Sequence, residues 1–490
     1  MFKKLLSSSR KGDVGSKGLS DEQSGPLNEM TETLLHPDAH EEGGISCNNE
    51  ALLKDQQKAI LEWITSMGKR LLLGNIDLIN TPFPVIMFEP RSYLEKLADV
   101  WVYPRFLSLA AESTDPLDRM KLVITWFTAG LHHGMDKWKK PFNPILGETW
   151  QAKLSDGSTM FMEQISHHPP VSAFNIEGPG GSYRFVGLSQ PNKVTLLLKQ
   201  YGFKTVAKGF RYVEFHDGTR IDITYPAYCM KGVVYAKRPR AEVDGIAVFM
   251  DVKNGLRAEL RFGAVKGGSG VLRRSDAVTG EIRETAPDIP LSPKQLIHAN
   301  SSAIESNRHP SSLSLKSKSD DDGTFESASE MDWEERGQDS EAAFGAQAFL
   351  AGVEAEVERA CPNSPPDPKP SSTGVATEKE GGSLFSRTGG MLGISNSQHA
   401  SGRGEECCGQ ILSRIEGSWL SNLDFDGRRL WSLRTETPDK WMPAENPLPS
   451  DCRYRKDLVV LETGDVIESQ KWKERLEQMQ RNDKKLRGHH

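Results

Sequence analysis

Cysteine is sparse in this chain, with six in 490 residues. Cys47, Cys229, Cys361, Cys407, Cys408 and Cys452 form no framework for a secreted fold and lack the paired spacing of a zinc site. Their pattern suits a reducing compartment. Long apolar runs are absent as well. No stretch of about 18 apolar residues occurs, so no membrane-spanning helix is expected. The basic start, MFKKLLSSSRKG, has no apolar core long enough for a signal peptide. The sequence reads as soluble and cytosolic. Hydrophobic residues make up only 37%, beside 44 glycines and 28 prolines, which is low for a chain folded throughout. A formal net charge of −6 argues against a globally basic nucleic-acid binder and makes any attraction for anions a local matter.

What is present falls into four stretches. Residues 1–50 are rich in Ser, Gly and charge without periodicity and read as a disordered arm. From Ala51 the pattern turns helical. Ile60, Trp63, Ile64, Met67 and Leu71 share one apolar stripe, either packed on its own core or covering an apolar cavity. A second helix is expected over 115–132, with Asp115 as N-cap and Pro116 at the first helical position. From about 148 to 263 short β-branched and aromatic runs alternate with turn pairs: Asp156-Gly157, Asp217-Gly218 and Asn254-Gly255. Many sequential hairpins predict an antiparallel sheet large enough to curl or close. Residues 264–408 are dominated by Ser, Gly, Pro and acidic side chains and read as a disordered insertion; order resumes over 409–487 and ends in a charged helix.

The block FMEQISHHPPVSAF, 161–174, sets two histidines before two prolines at the end of a strand-like run. A metal site, a general base and an anion cradle are the three chemistries to weigh. Adjacent strand side chains point to opposite faces and no further ligands stand nearby, which disfavours zinc. A general base at His167 or His168 needs a nucleophile, and no Gly-x-Ser-x-Gly elbow exists. Cys408 and Arg414 make a bare Cys-x5-Arg match, the only hint of a phosphatase. An anion cradle needs more cations. Lys140 and Asn143 stand in the proline-stiffened block KKPFNPILGETW, and Lys473, Glu477 and Arg481 recur at i, i+4, i+8 on one helical face. Ordinary intrahelical ion pairs, worth a few tenths of a kcal/mol each, are the bland alternative. The pair His132-His133, beside Lys137, Lys139 and Lys140, reads as a solvated loop.

Taken together, EQISHHPP, KPFNPILGE, PVIMFEPRSYLEKLAD and LPSDCRYRKDLVVLETGDVIESQKWKERLEQMQR resemble the signature blocks of the oxysterol-binding-protein-related lipid-transfer family, in the same order along the chain. The resemblance covers about 51–263 and 409–487. It implies an α+β fold: a large, near-closed antiparallel β-barrel around a lipid tunnel, an N-terminal helical lid, flanking helices and long disordered segments. It favours the lid role for the 54–73 helix. It further implies that the headgroup of phosphatidylinositol 4-phosphate sits at the tunnel mouth. By residue match His167 and His168 would hold the 4-phosphate with Arg481, while Lys140, Asn143, Lys473 and Glu477 would meet the remaining phosphate and the inositol hydroxyls. The second lipid implied is a sterol or phosphatidylserine, exchanged against the phosphoinositide without any covalent step, metal or cofactor. The alternatives are a phosphoinositide-gated sensor that moves little lipid and a phosphatase using Cys408.

One feature inside the insertion suggests a further partner. Residues 324–330, TFESASE, follow an acidic approach and resemble a degenerate FFAT motif, which binds VAP receptors of the endoplasmic reticulum. Phe325, Ala328 and Glu330 match it, Ser327 stands where phosphorylation replaces an acid, and Glu326 departs from it. Peripheral action at membranes and membrane contact sites is the localisation this implies.

Overall fold

The computed structural model describes residues 33–67, 82–135, 138–167, 169–197, 202–263, 274–285 and 409–487. Six α-helices are described: α1 (Glu50–Met67), α2 (Tyr93–Leu97), α3 (Pro104–Glu112), α4 (Pro116–Gly130), α5 (Lys456–Glu462) and α6 (Val466–Arg487). The strands are β1 (Ile45–Ser46), β2 (Phe88–Ser92), β3 (Lys140–Phe142), β4 (Thr149–Lys153), β5 (Thr159–His167), β6 (Pro170–Glu177), β7 (Tyr183–Leu197), β8 (Gly202–Lys208) and β9 (Arg211–Phe215). After them come β10 (Arg220–Ile223), β11 (Ala227–Lys231), β12 (Arg240–Asp251), β13 (Leu256–Phe262), β14 (Ala277–Glu284), β15 (Ile411–Ser418), β16 (Asn422–Phe425), β17 (Arg428–Ser432) and β18 (Met442–Pro443).

Sixteen of these strands make one sheet whose main path runs β17-β16-β15-β14-β13-β12-β10-β9-β7-β6-β5-β4-β18, every pairing antiparallel. The turn pairs read from the sequence close three of its hairpins. Gly157, Gly218 and Gly255 all adopt positive φ there, at 92°, 75° and 63°, which costs glycine nothing. Buried side chains alternate along several strands, as in Arg211, Val213 and Phe215 of β9. Trp150 of β4 and Trp431 of β17 come from near opposite ends of the path, yet both are buried in one hydrophobic core. The sheet therefore curls into a near-closed barrel. Its seam is filled by residues 101–103: Trp441 Nε1 donates to the Trp101 carbonyl at 3.0 Å, and the Asp439 N–H donates to that of Val102 at 2.7 Å.

Helix α4 plugs the curl. The Asp115 carboxylate accepts from the N–H of Leu117 at 2.8 Å, and Pro116 opens the first turn. Every residue from Val123 to Gly130 is buried, so the second half of this helix is covered on every side, while Asp118 in its first turn is exposed. Gly130 ends it where no side chain fits, since a Cβ there would stand 1.8 Å from the Val100 carbonyl oxygen.

Two stretches read as disordered contain ordered structure. Within the expected arm 1–50, residues 33–49 fold back on the barrel. β1 pairs with Arg240 and Ala241 of β12, and the His36 N–H donates to the Leu420 carbonyl at 2.9 Å. Within the expected insertion 264–408, β14 lies between β13 and β15 and pairs with both along its length. Val278 and Ile282 are fully buried, so without β14 the sheet would split at its middle. The pair His132-His133 also departs from the solvated loop. His132 is buried in a 3-10 turn, Leu131–Met135, with its ring 4.0 Å from that of His133 and 5.3 Å from that of His36. Burial, then His133 and His36, hold its pKa down to about 2, so it stays neutral.

Candidate functional site

The block 139–150 is positioned by a buried ion-pair network that linear sequence does not reveal. β3 pairs in parallel with β2, setting Lys140 opposite Phe88. Arg455, from the C-terminal block, donates through Nη1 to the Asn143 carbonyl at 2.9 Å and to Glu148 Oε2 at 2.8 Å, and through Nη2 to Asp457 Oδ2 at 2.6 Å. Glu148 also accepts from the Ile145 N–H at 2.9 Å and from the Ser92 hydroxyl. Burial opposes the Arg455 charge, but Glu148 and Asp457 outweigh it and its pKa is raised. The bonds of Arg455 to Glu148 and Asn143 cross 307 and 312 residues of sequence, so no local pattern announces them.

On this frame the expected cations converge. The Lys140 ammonium donates to Asn143 Oδ1 at 2.6 Å and stands 4.9 Å from the centre of the Phe88 ring. The Lys473 ammonium lies over the same ring at 5.8 Å, and Lys473 is only 8% exposed. Burial first, and the Lys473 charge second, pull the Lys140 pKa down to about 7. Lys473 donates to Glu477 Oε1 at 2.5 Å, and Arg481 Nη1 stands 3.9 Å from Glu477 Oε2, so the three do share one face of α6. Arg481 is otherwise turned to Gln478 and is exposed. His167, at the end of β5, reaches the same helix, its Nδ1 3.5 Å from Gln480 Nε2. His168 lies outside the described residues.

Helix α1 covers this corner. Trp63 stacks on Phe83 with centroids 4.3 Å apart, and Ile64 is buried against Val234 with Ile60 beside it. Gln56 and Gln57 tie the helix down by donating to the carbonyls of Ile86 and Ala236 at 3.0 and 2.9 Å. Between α1 and α6 lies a cavity of about 600 Å3 that Trp63, Lys473, Glu477 and Arg481 help to line, along with Glu62 and Glu474. The Met67 backbone ends α1; Leu71 lies outside the described residues, as do Cys408 and the motif residues Phe325, Ser327, Ala328 and Glu330. Among the described residues no cluster of His, Cys, Asp or Glu is arranged to hold a metal ion, and no helix is long and apolar enough to cross a membrane.

This fold has counterparts among known proteins. The family model described as oxysterol-binding protein matches residues 70–363. The chain belongs to the oxysterol-binding protein family. It is 38% identical over 227 residues to oxysterol-binding protein 9 of Dictyostelium discoideum, covering 46% of this chain and 51% of that one. To oxysterol-binding protein-related protein 5 of Mus musculus it is 32% identical over 262 residues, covering 52% of this chain and 29% of that one. The alignments thus take in about half or less of these relatives. In fold it is similar to the Osh3 ORD of Saccharomyces cerevisiae, solved in complex with PI(4)P, with a TM-score of 0.51 at 18% identity over 86% of this chain and 84% of that one. The Osh1 ORD domain, solved in complex with cholesterol, gives a TM-score of 0.50 at 15% identity over 90% and 89%.

Proposed function

We propose that this chain binds phosphatidylinositol 4-phosphate and carries it between membranes in exchange for a second lipid, with a sterol as the first candidate and phosphatidylserine as the other. The observation that carries the reading is the convergence of Lys140, Asn143, Lys473 and Glu477 beneath α1, with His167 and Arg481 at its edge. A phosphomonoester carries about −1.5 to −2 charges near neutral pH and is met best by several charge-assisted donors. Glu62 and Glu474 repel it from the outer cavity, so it settles on the side of Lys140, Lys473 and the histidines. Glu477 accepts from inositol hydroxyls while fixing Lys473. Helix α1 acts as a lid: enclosing acyl chains beneath it gains about 25 cal/mol per Å2 of apolar surface. Headgroup and second lipid share one cavity, so each excludes the other, and no bond is made or broken.

Lipid capture tests this. The purified protein is incubated with mixed liposomes, re-isolated, and its lipid identified by mass spectrometry beside a His167→Ala/His168→Ala double variant. The wild type is expected to carry the phosphoinositide and one other lipid, and the variant only the other. Equal phosphoinositide in both removes the histidines from the site.

The 324–330 motif supports recruitment to the endoplasmic reticulum through a VAP receptor, and hence action at membrane contacts. A phospho-Ser327 peptide is expected to bind a VAP domain and its Phe325→Ala version is not. Equal or absent binding by both ends that reading.

A further inference from the structure

On the buried face of β9 sits a charge that the headgroup reading does not use. Arg211 is 5% exposed and faces inward from β9, in line with the core residues Val213 and Phe215. Its guanidinium lies 4.1 Å from the centre of the Tyr225 ring. The groups that act on its charge are the phenols of Tyr225, Tyr93 and Tyr228, and no carboxylate is among them. Among the described residues its N–H groups have no acceptor. Buried charges in proteins are ordinarily paired, because desolvation is not otherwise offset.

The neighbours are donors too. Trp101 Nε1 donates to the Tyr225 hydroxyl at 3.1 Å, which leaves the phenolic proton of Tyr225 free to be donated onward. Tyr93, at the start of α2, shares a hydrogen bond of 3.0 Å with Ser189 of β7, two residues along that strand from Gly187, which pairs with Arg211. Burial raises the pKa of Tyr93, Tyr225 and Tyr228, yet each is only half-buried. Tyr93 directly follows β2, whose Phe88 carries Lys140 and Lys473 on its ring.

We infer that Arg211, with Tyr225, Tyr228 and the Tyr93–Ser189 pair, forms an inner subsite for a carboxylate, which changes the second lipid proposed above from a neutral sterol to an acidic amphiphile, such as a sterol acid or a fatty acid, that enters carboxylate first. The inference rests on the barrel interior being the lipid cavity proposed above. A guanidinium fork matches the two oxygens of a carboxylate, and the phenolic O–H groups complete the shell. A neutral sterol hydroxyl leaves the charge unpaired.

The probes are cis-parinaric acid, its methyl ester and the neutral sterol dehydroergosterol, each offered to the full chain in phosphatidylcholine vesicles and followed by fluorescence. The wild type is expected to hold the acid at least about tenfold more tightly than the ester, the scale of one charged hydrogen-bonding pair. Arg211→Met should abolish that preference and melt at a higher temperature than the free wild type, because a buried charge with no acceptor among the described residues is gone. Tyr225→Phe, which keeps the ring, should narrow the preference by a smaller factor. Equal binding of acid and ester by the wild type, or dehydroergosterol held more tightly than the acid, overturns the subsite. A lowered melting temperature in Arg211→Met also overturns it, since the arginine would then be structural. Phosphoinositide capture is run alongside. Its loss in wild type sinks the headgroup reading alone, whereas capture intact with no preference for the acid sinks only this one.

Discussion

Replacing Arg455 by alanine is expected to destabilise the protein by about 3–5 kcal/mol, the usual cost of removing one partner from a buried ion pair. The side chains of Glu148 and Asp457 are 0% exposed, and both lose their cation at once. Glu148 then keeps only the Ile145 N–H and the Ser92 hydroxyl as donors to its buried charge. Urea unfolding followed by tryptophan fluorescence measures this, because Trp150 lies next to the network and is buried. Arg455→Lys should recover part of the loss, since it restores charge without the two-pronged geometry. A shift in stability below about 0.5 kcal/mol for Arg455→Ala, the size of an ordinary surface change, would show that the network is solvated. The same variant should lose phosphoinositide capture under conditions where it is still folded, because Arg455 fixes the backbone of Asn143 and through it the partner of Lys140.

Local signals in the sequence account for much of the fold. Asp115-Pro116 announced α4 because a cap and a first-turn proline act within four residues, and the Asp-Gly and Asn-Gly pairs announced hairpins because positive φ is a property of the turn itself. β14 went unread for an opposite reason. Its sequence AVTGEIRE carries only Val278 and Ile282 as buried apolar residues, and polar sequence flanks it on both sides. Its stability comes from β13 and β15, not from its own propensity. The lysines near His132 suggest solvent, but its ring packs against His36 and Trp431, distant in sequence. In the candidate site, Lys473, Glu477 and Arg481 were legible from helical spacing alone. Lys140 and Asn143 drew notice through their prolines, and only the fold brings them to Lys473. Arg455 and Arg211 gave no signal, because a buried charge is distinguished by its surroundings and not by its neighbours in the chain.

Phosphoinositide affinity should fall as pH rises from 7 to 8.5, and Lys140 is the reason. In the free protein its pKa is about 7, pulled down by burial and then by Lys473, so above that pH the corner loses one of its cations. A bound phosphate restores the proton, so binding above pH 7 takes one up from solvent. With a bound-state pKa near the ordinary value for lysine, affinity at pH 8.5 should be about 16-fold lower than at pH 7. The lipid's own second ionisation lies near 6 and is complete across this range, so it does not mask the trend. For the free protein the sign is the opposite. The unfolded chain binds the Lys140 proton up to about pH 10.4 while the folded chain has released it, so this group makes stability rise with pH between about 7 and 10.4. Titrating binding to phosphoinositide-containing vesicles at several pH values, with wild type and Lys140→Met, separates the contributions. The variant is expected to bind weakly throughout and to show no slope above pH 7. A slope that survives in Lys140→Met would assign the proton to another group, and a flat wild-type profile would place the phosphate out of reach of Lys140.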